Sequence, residues 1–441
     1  MRRFTARAVT RHGGTPAAAA AAAGGWLGGR GALGRAAAPL PWTAARAQGF
    51  YAQLKRGGFG KAPIPRAQME PEPPLADAPW VPSARNITIS RWLFGSCAVV
   101  GTIVVVGGVT RLTESGLSIT EWKPLRGIVP PLTQEQWVEE FERYKTFPEY
   151  LQREGGMTLS EFQFIFFWEW FHRVLARSMG LVYGVPLLYF SARGYFKDQR
   201  GLQLKLFGLL GLGGLQGAVG WWMVKSGLDH NLIAERKKAT VSAYRLSTHL
   251  SIALMIYAGM LRVAFGLRVA PVNVHLGPYG PLRMAARVAT GSMLLTALTG
   301  ACTAALDAGL LYCDGFPFMG EGLMPPYYEL AVVRPLYRNL FENGTAAQTA
   351  HRLLALNTLW SVAALNILAR RPQFAKFLTP TMRSALRGVN HAVLVQAALG
   401  VATLLTYVSL PVAVAHQANS LALLAVLVRL TAAVGSRGVL L

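Results

Sequence analysis

The stretch Phe164-Ile165-Phe166-Phe167-Trp168-Glu169-Trp170-Phe171-His172-Arg173 sets a carboxylate, an imidazole and a guanidinium inside a run that stays apolar to Phe190. That run is long enough to cross a bilayer, which takes roughly 20 residues. Ionisable groups in such a segment are costly to insert, so their default reading is functional. Glu169 and His172 are three residues apart and share one helix face. Further apolar runs occupy Trp92–Val109, Leu202–Val224, Tyr244–Leu267, Met284–Ala304, Thr349–Leu368, Leu386–Ser409 and Val412–Leu430. Together they predict an all-α polytopic membrane protein of eight spans, the last two joined tightly at Leu410-Pro411.

With only 15% charged residues in 441, the composition fits that class, and the net charge of +23 has a local origin. Met1 to Met69 contains no Asp or Glu but carries Arg2, Arg3, Arg7, Arg11 and further bases among Ala, Gly and Thr. Arg-rich and acid-free, it reads as a mitochondrial transit peptide. A nucleic-acid partner is therefore not expected. The Pro-rich segment from Glu70 reads as a linker, giving the expected order: leader 1–69, linker 70–91, helical halves 92–270 and 284–432. Basic residues crowd the loops after spans two, four and six, whereas Glu121 to Glu154 and Asp307 to Glu329 populate the loops after spans one and five. The positive-inside bias then puts both termini in the matrix, in a multi-pass protein of the mitochondrial inner membrane. The Lys225 to Lys238 loop fits this poorly.

The halves read as tandem copies of one four-helix unit. Thr113-Glu114-Ser115-Gly116-Leu117 recurs as Leu306-Asp307-Ala308-Gly309-Leu310, Pro130-Pro131 as Pro325-Pro326, His172-Arg173 as His351-Arg352, and Gln216 with Gly220 as Gln396 with Gly400. Four of the eight histidines occupy the even spans: His172, His249, His351 and His416. Each is expected within about two turns of the outer end, hence at matched depth. A lone membrane histidine is ordinarily a packing residue, but facing pairs at one depth in a bundle suit axial ligation of a haem iron. The pairs would be His172 with His249 and His351 with His416. His391 is at the wrong depth, and His12, His230 and His275 lie in the leader or in loops. Arg173 and Arg352 either pair with haem propionates or snorkel to headgroups. Glu169 is replaced by Gln348 in the second copy, which suggests unequal jobs. A carboxyl group enclosed in lipid suits acid–base work, and the plain alternative is an ion pair with Arg173. Among the three cysteines, Cys97 reads as packing, while Cys302 and Cys313 flank a loop and would pair only in an oxidising space.

The stretch Gly107 to Pro124 (GGVTRLTESGLSITEWKP), Glu169-Trp170-Phe171-His172-Arg173, Gln216 to Leu228 and Leu306-Asp307-Ala308-Gly309 resembles the haem A synthase family, from about Asn86 to the C-terminus. The leader points to its mitochondrial branch. The resemblance implies an oxidoreductase that converts a ring methyl of haem O to a formyl group, giving haem A for cytochrome c oxidase. It implies that His172 and His249, with Arg173, hold the substrate and that Glu169 is catalytic. It further implies that His351 and His416, with Arg352, hold a b-type haem. The partners to test are an electron-transfer protein such as a ferredoxin, the haem O synthase on pathway logic alone, cytochrome c oxidase assembly factors and a second copy of the chain. The loop cysteine pair of one bacterial branch is absent, since no Cys lies between Thr110 and Glu161. The rival readings are a bis-histidine cytochrome b that only relays electrons and a haem-carrying scaffold. Neither accounts for Glu169 in one half alone.

Overall fold

The computed structural model describes residues 81–122, 126–269, 279–313 and 315–435. The expected leader, most of the linker, and His12 and His275 lie outside the described residues. Within them, eight helices are long and apolar enough to cross a membrane. They are α1 (Ala84–Leu112), α2 (Leu159–Ala192), α3 (Arg200–Gly227), α4 (Ala243–Gly266), α5 (Tyr279–Ala305), α6 (Gly344–Arg370), α7 (Pro380–Leu405) and α8 (Leu410–Ala433). The chain is a multi-pass, all-α membrane protein.

Two helices start well before their apolar runs, and the cause is capping. Ser83 Oγ accepts the Asn86 N–H at 3.2 Å, so α1 begins at Ala84 rather than Trp92 and the last part of the expected linker is helical. Thr158 and Glu161 form a capping box that starts α2 at Leu159. Its extra turns pack Phe162, Ile165 and Phe166 against Phe141 and Tyr144 of the short loop helix Gln134–Lys145. His172 is therefore more than two turns inside its helix, unlike the expectation.

Farther along, α2 passes through a π-turn at Gly180–Gly184 just before Pro186. Proline has no N–H to give the carbonyl four residues back. That carbonyl, on Val182, instead accepts the Trp92 indole N–H of α1 at 2.9 Å.

Helices α1, α4, α5 and α8 pack on one another at the centre, while α2, α3, α6 and α7 flank α1, α4, α5 and α8 respectively. The large apolar core lies at one end of the bundle. It takes Leu93 from α1, Leu187 from α2, Leu206 from α3, Met260 from α4, Leu282 from α5, Leu365 from α6, Met382 from α7 and Leu424 from α8. In lipid such contacts stabilise through close packing rather than release from water, so polar seams add to them. Between α5 and α6, Asn357 Nδ2 donates to Ser292 Oγ at 2.8 Å, and the Thr296 and Thr358 hydroxyls meet at 2.9 Å.

The opposite, long-loop end is tied by charge. Glu114 and Asp307 both adopt left-handed backbone (φ 49° and 51°) where α1 and α5 finish. Lys238 reaches both carboxylates, at 2.8 and 2.9 Å, and Arg111 adds a 2.7 Å contact to Asp307. Burial of Asp307 works against its ionisation, but the Lys238 and Arg111 donors outweigh it and hold the carboxyl below its usual range. Cys302 and Cys313 are not joined to each other. Cys302 Sγ lies 3.3 Å from Ser247 Oγ, and Cys313 Sγ donates to the Gly309 carbonyl at 3.1 Å.

Candidate functional site

Between the apolar core and the long loops, each even helix turns one imidazole onto a glycine of the odd helix before it. A methyl group placed on Gly107 would stand 2.8 Å from His172 Cε1, and one on Gly220 would stand 2.9 Å from His249 Cε1. On Gly300 it would stand 3.0 Å from His351 Cε1, and on Gly400 3.1 Å from His416 Cε1. A side chain at Gly107 or Gly220 would displace the ring, and one at Gly300 or Gly400 would press it back by a few tenths of an ångström. The residue four before each glycine, Ile103, Gln216, Thr296 or Gln396, neighbours the imidazole, and the Thr296 carbonyl closes a hydrogen bond with it. His172 lies within electrostatic reach of His249, and His351 of His416. His391 and His230 belong to neither pair.

The pairs differ in how their rings are held. His351 Nδ1 is 3.0 Å from the Thr296 carbonyl and 3.3 Å from Thr299 Oγ1. His416 Nδ1 is 3.2 Å from the Gln396 amide nitrogen, and Gln396 Oε1 is itself held by Asn419 Nδ2 at 2.8 Å. His172 Nδ1 and His249 Nδ1 are buried and close no hydrogen bond.

Glu169 is 3% exposed, and its two oxygens take three donors. Arg173 Nη2 reaches Oε1 at 2.6 Å, while the Ser118 hydroxyl and the Ile119 N–H reach Oε2 at 2.7 Å each. The ion pair with Arg173 weighed from sequence is thus present, within a wider network. Gln348 is 2% exposed and does the reverse: its Nε2 donates to the Leu311 carbonyl at 2.6 Å, and its Oε1 has no partner. Arg173 and Arg352 spend most of their donors on loop carbonyls, Ile119 O at 3.0 Å and Tyr312 O at 3.0 Å respectively. Nε of Arg352 is buried without a partner.

These features fit a haem. No group of three or more His, Cys, Asp or Glu among the described residues could hold a bare metal ion. A haem iron asks for only two protein ligands, which each pair would supply. The buried Nδ1 atoms of His172 and His249 are polar groups that no protein atom satisfies. Sequence reading missed Gly107, Gly300, Ser118, Thr296 and Thr299. The signal for Gly300 was present, since it follows Gly107 at the same offset that relates Asp307 to Glu114.

Comparison with known proteins places relatives beside the chain. Residues 90–428 match the family model COX15-CtaA, described as cytochrome oxidase assembly protein. A haem A synthase of Nitrosomonas eutropha is 43% identical over 341 residues, 77% of this chain and 91% of that one. A haem A synthase of Chelativorans is 44% identical over 357 residues, 80% of this chain and 91% of that one. A haem A synthase–mitochondrial ferredoxin fusion protein of Schizosaccharomyces pombe is 40% identical over 373 residues, 79% of this chain, which spans 59% of the fusion. With the motif-bearing loops, the four spanning histidines and eight apolar helices inside the matched region, the chain belongs to the COX15-CtaA family of cytochrome oxidase assembly proteins.

Proposed function

We propose that this chain is a haem A synthase of the mitochondrial inner membrane, oxidising a ring methyl of haem O to a formyl group. The observation that carries the division of labour is the unequal setting of the two histidine pairs. An imidazole hydrogen-bonded through Nδ1 is fixed in orientation and made a better ligand. His351 is held in that way by the Thr296 carbonyl, and its pair suits a resident b-type haem. His172 and His249 are not, and suit a haem that must leave as product. The halves 92–270 and 284–432 act as tandem copies with these separate tasks. Bound in the second half, the b-type haem supplies one-electron redox chemistry.

Glu169 stands one helical turn from His172 and handles the proton of the oxidation. Of its three partners, only the Ser118 hydroxyl can reverse roles, because a guanidinium and a backbone N–H can only donate. A proton taken by Glu169 at Oε2 is therefore shared with Ser118 Oγ, 2.7 Å away. Arg173 and Arg352 hold the long loops over the two sites, and on the loop side they also receive the propionates.

The fused ferredoxin of the Schizosaccharomyces pombe relative supports a ferredoxin as electron partner. The basic loops after α2, α4 and α6 support a matrix location for both termini. The haem O synthase, oxidase assembly factors and a second copy of the chain complete the proposed partners. Mass analysis of haems from cells that make haem O, with and without this chain, tests the reading. Haem A, or hydroxylated haem O, appearing only with the chain supports it. Haem b alone, its substituents untouched, makes the chain an electron carrier or scaffold instead.

A further inference from the structure

We infer that Gly107, Gly220, Gly300 and Gly400 are positioning residues that set the orientation of the four haem-facing imidazoles. The inference rests on the proposed haem reading. A histidine side chain on a helix has few staggered positions, and which one it adopts depends on what the facing helix leaves open. Each glycine opens a gap against Cε1 that a methyl would fill to 2.8 to 3.1 Å. At Gly107 and Gly220 real side-chain carbons do not approach that closely, and at Gly300 and Gly400 the ring would have to give by a few tenths of an ångström. The ring therefore sits where it does because the glycine is bare. The gap also lets the ring lean toward the carbonyl one turn earlier on the same odd helix. At His351 this closes a 3.0 Å contact from Nδ1 to the Thr296 carbonyl. An Nδ1–H spent on that carbonyl leaves Nε2 unprotonated, the form a metal needs. Gly300 thus acts twice, by steric permission and by fixing the tautomer through the carbonyl it exposes.

Among the glycines described, only these four have an imidazole as the near neighbour. Gly291 on α5, and Gly213 and Gly217 on α3, have nothing within 4 Å of where a methyl would go. They are ordinary small residues on the same helices and serve as controls.

The experiment uses the full chain purified in mild detergent with its co-purifying haem, comparing Gly300→Ala and Gly400→Ala with Gly291→Ala and His351→Ala. The readouts are haem b per polypeptide, the low-spin electron paramagnetic resonance signal, the midpoint potential and carbon monoxide binding by the reduced protein. Alanine is a better helix former than glycine, so misfolding is not the default outcome. Gly300→Ala and Gly400→Ala are expected to shift the low-spin signal and the potential, and to admit carbon monoxide where the wild type does not. Gly291→Ala is expected to match the wild type. Wild-type spectra, potential and carbon monoxide inertness in both cradle variants, with haem b lost from His351→Ala, overturn the inference and leave the haem reading standing. Retention of haem b and of the low-spin signal by His351→Ala overturns the haem reading itself. For the first half, Gly220→Ala should weaken haem O binding measured by optical titration, and Gly213→Ala should not.

Discussion

At the scale of single residues, the chemistry turns on how Glu169 is held. Replacing it with Gln removes the acid–base group while keeping the shape, and formyl product should fall by about a hundredfold or more. Haem b content should not change, because His351 and His416 are on other helices. Ser118→Ala leaves Arg173 and the Ile119 N–H in place but removes the only partner able to accept, so a smaller loss, about tenfold, is expected from the same haem mass ratios. Normal turnover in Ser118→Ala would exclude proton sharing through that hydroxyl. The histidines and Glu169 were legible because imidazole and carboxylate are out of place in apolar runs. Their supporting residues were not, since Gly, Ser and Thr are common in spanning helices and carry no such contrast. The arginines were legible as charges, yet their loop-carbonyl partners depend on the path of a long loop that periodicity does not encode.

At the scale of elements, α1 and α8 meet where Gln417 Nε2 donates to the Val104 carbonyl at 3.0 Å. The carboxamide lies over Gly108, where any side chain would overlap it. Gly108→Ala should therefore destabilise the chain by about 1–3 kcal/mol of overpacking. Adding Gln417→Ala should restore part of the thermal midpoint, and the absence of any rescue would place the strain elsewhere. The short element Pro148–Leu151 carries a second test. Burial pushes the Glu149 carboxyl up to about 8, with Glu169 and Glu114 adding to this and the Tyr144 hydroxyl and Arg153 opposing it. A carboxyl raised on folding stabilises fully below its ordinary 4.5 and loses that contribution as pH rises through about 8. Thermal stability should fall over that window in the wild type and fall less in Glu149→Gln. Equal slopes would mean that the group is open to water. Hydropathy gave all eight spans, but not where α1 and α2 begin. Those starts depend on Ser83 and on the Thr158–Glu161 box, which add helix in polar sequence where an apolar window has already ended.

For the whole molecule, the apolar core draws on every spanning helix, and Lys238, Arg111 and Gln417 cross between the expected halves. Unfolding should accordingly be a single transition, with Soret absorbance and tryptophan fluorescence changing together on heating. Two separated transitions would mean that the halves fold on their own. The sequence pattern suggested two bundles side by side, and contacts between distant helices such as α1 with α8 lie beyond what a repeat in one dimension can specify. The one-ended core also has a mechanical consequence. Each even-numbered spanning helix packs into the apolar core toward one end and carries its imidazole toward the other. His416 is eleven residues from Leu427, about 16 Å along the axis at 1.5 Å per residue. Pivoting such a helix by about 5° about its core end moves the ring by roughly 1.4 Å over that 16 Å. Adjustments on the scale of a ligand bond thus need only a slight lean of whole helices, with no turn unwound and the core ends undisturbed.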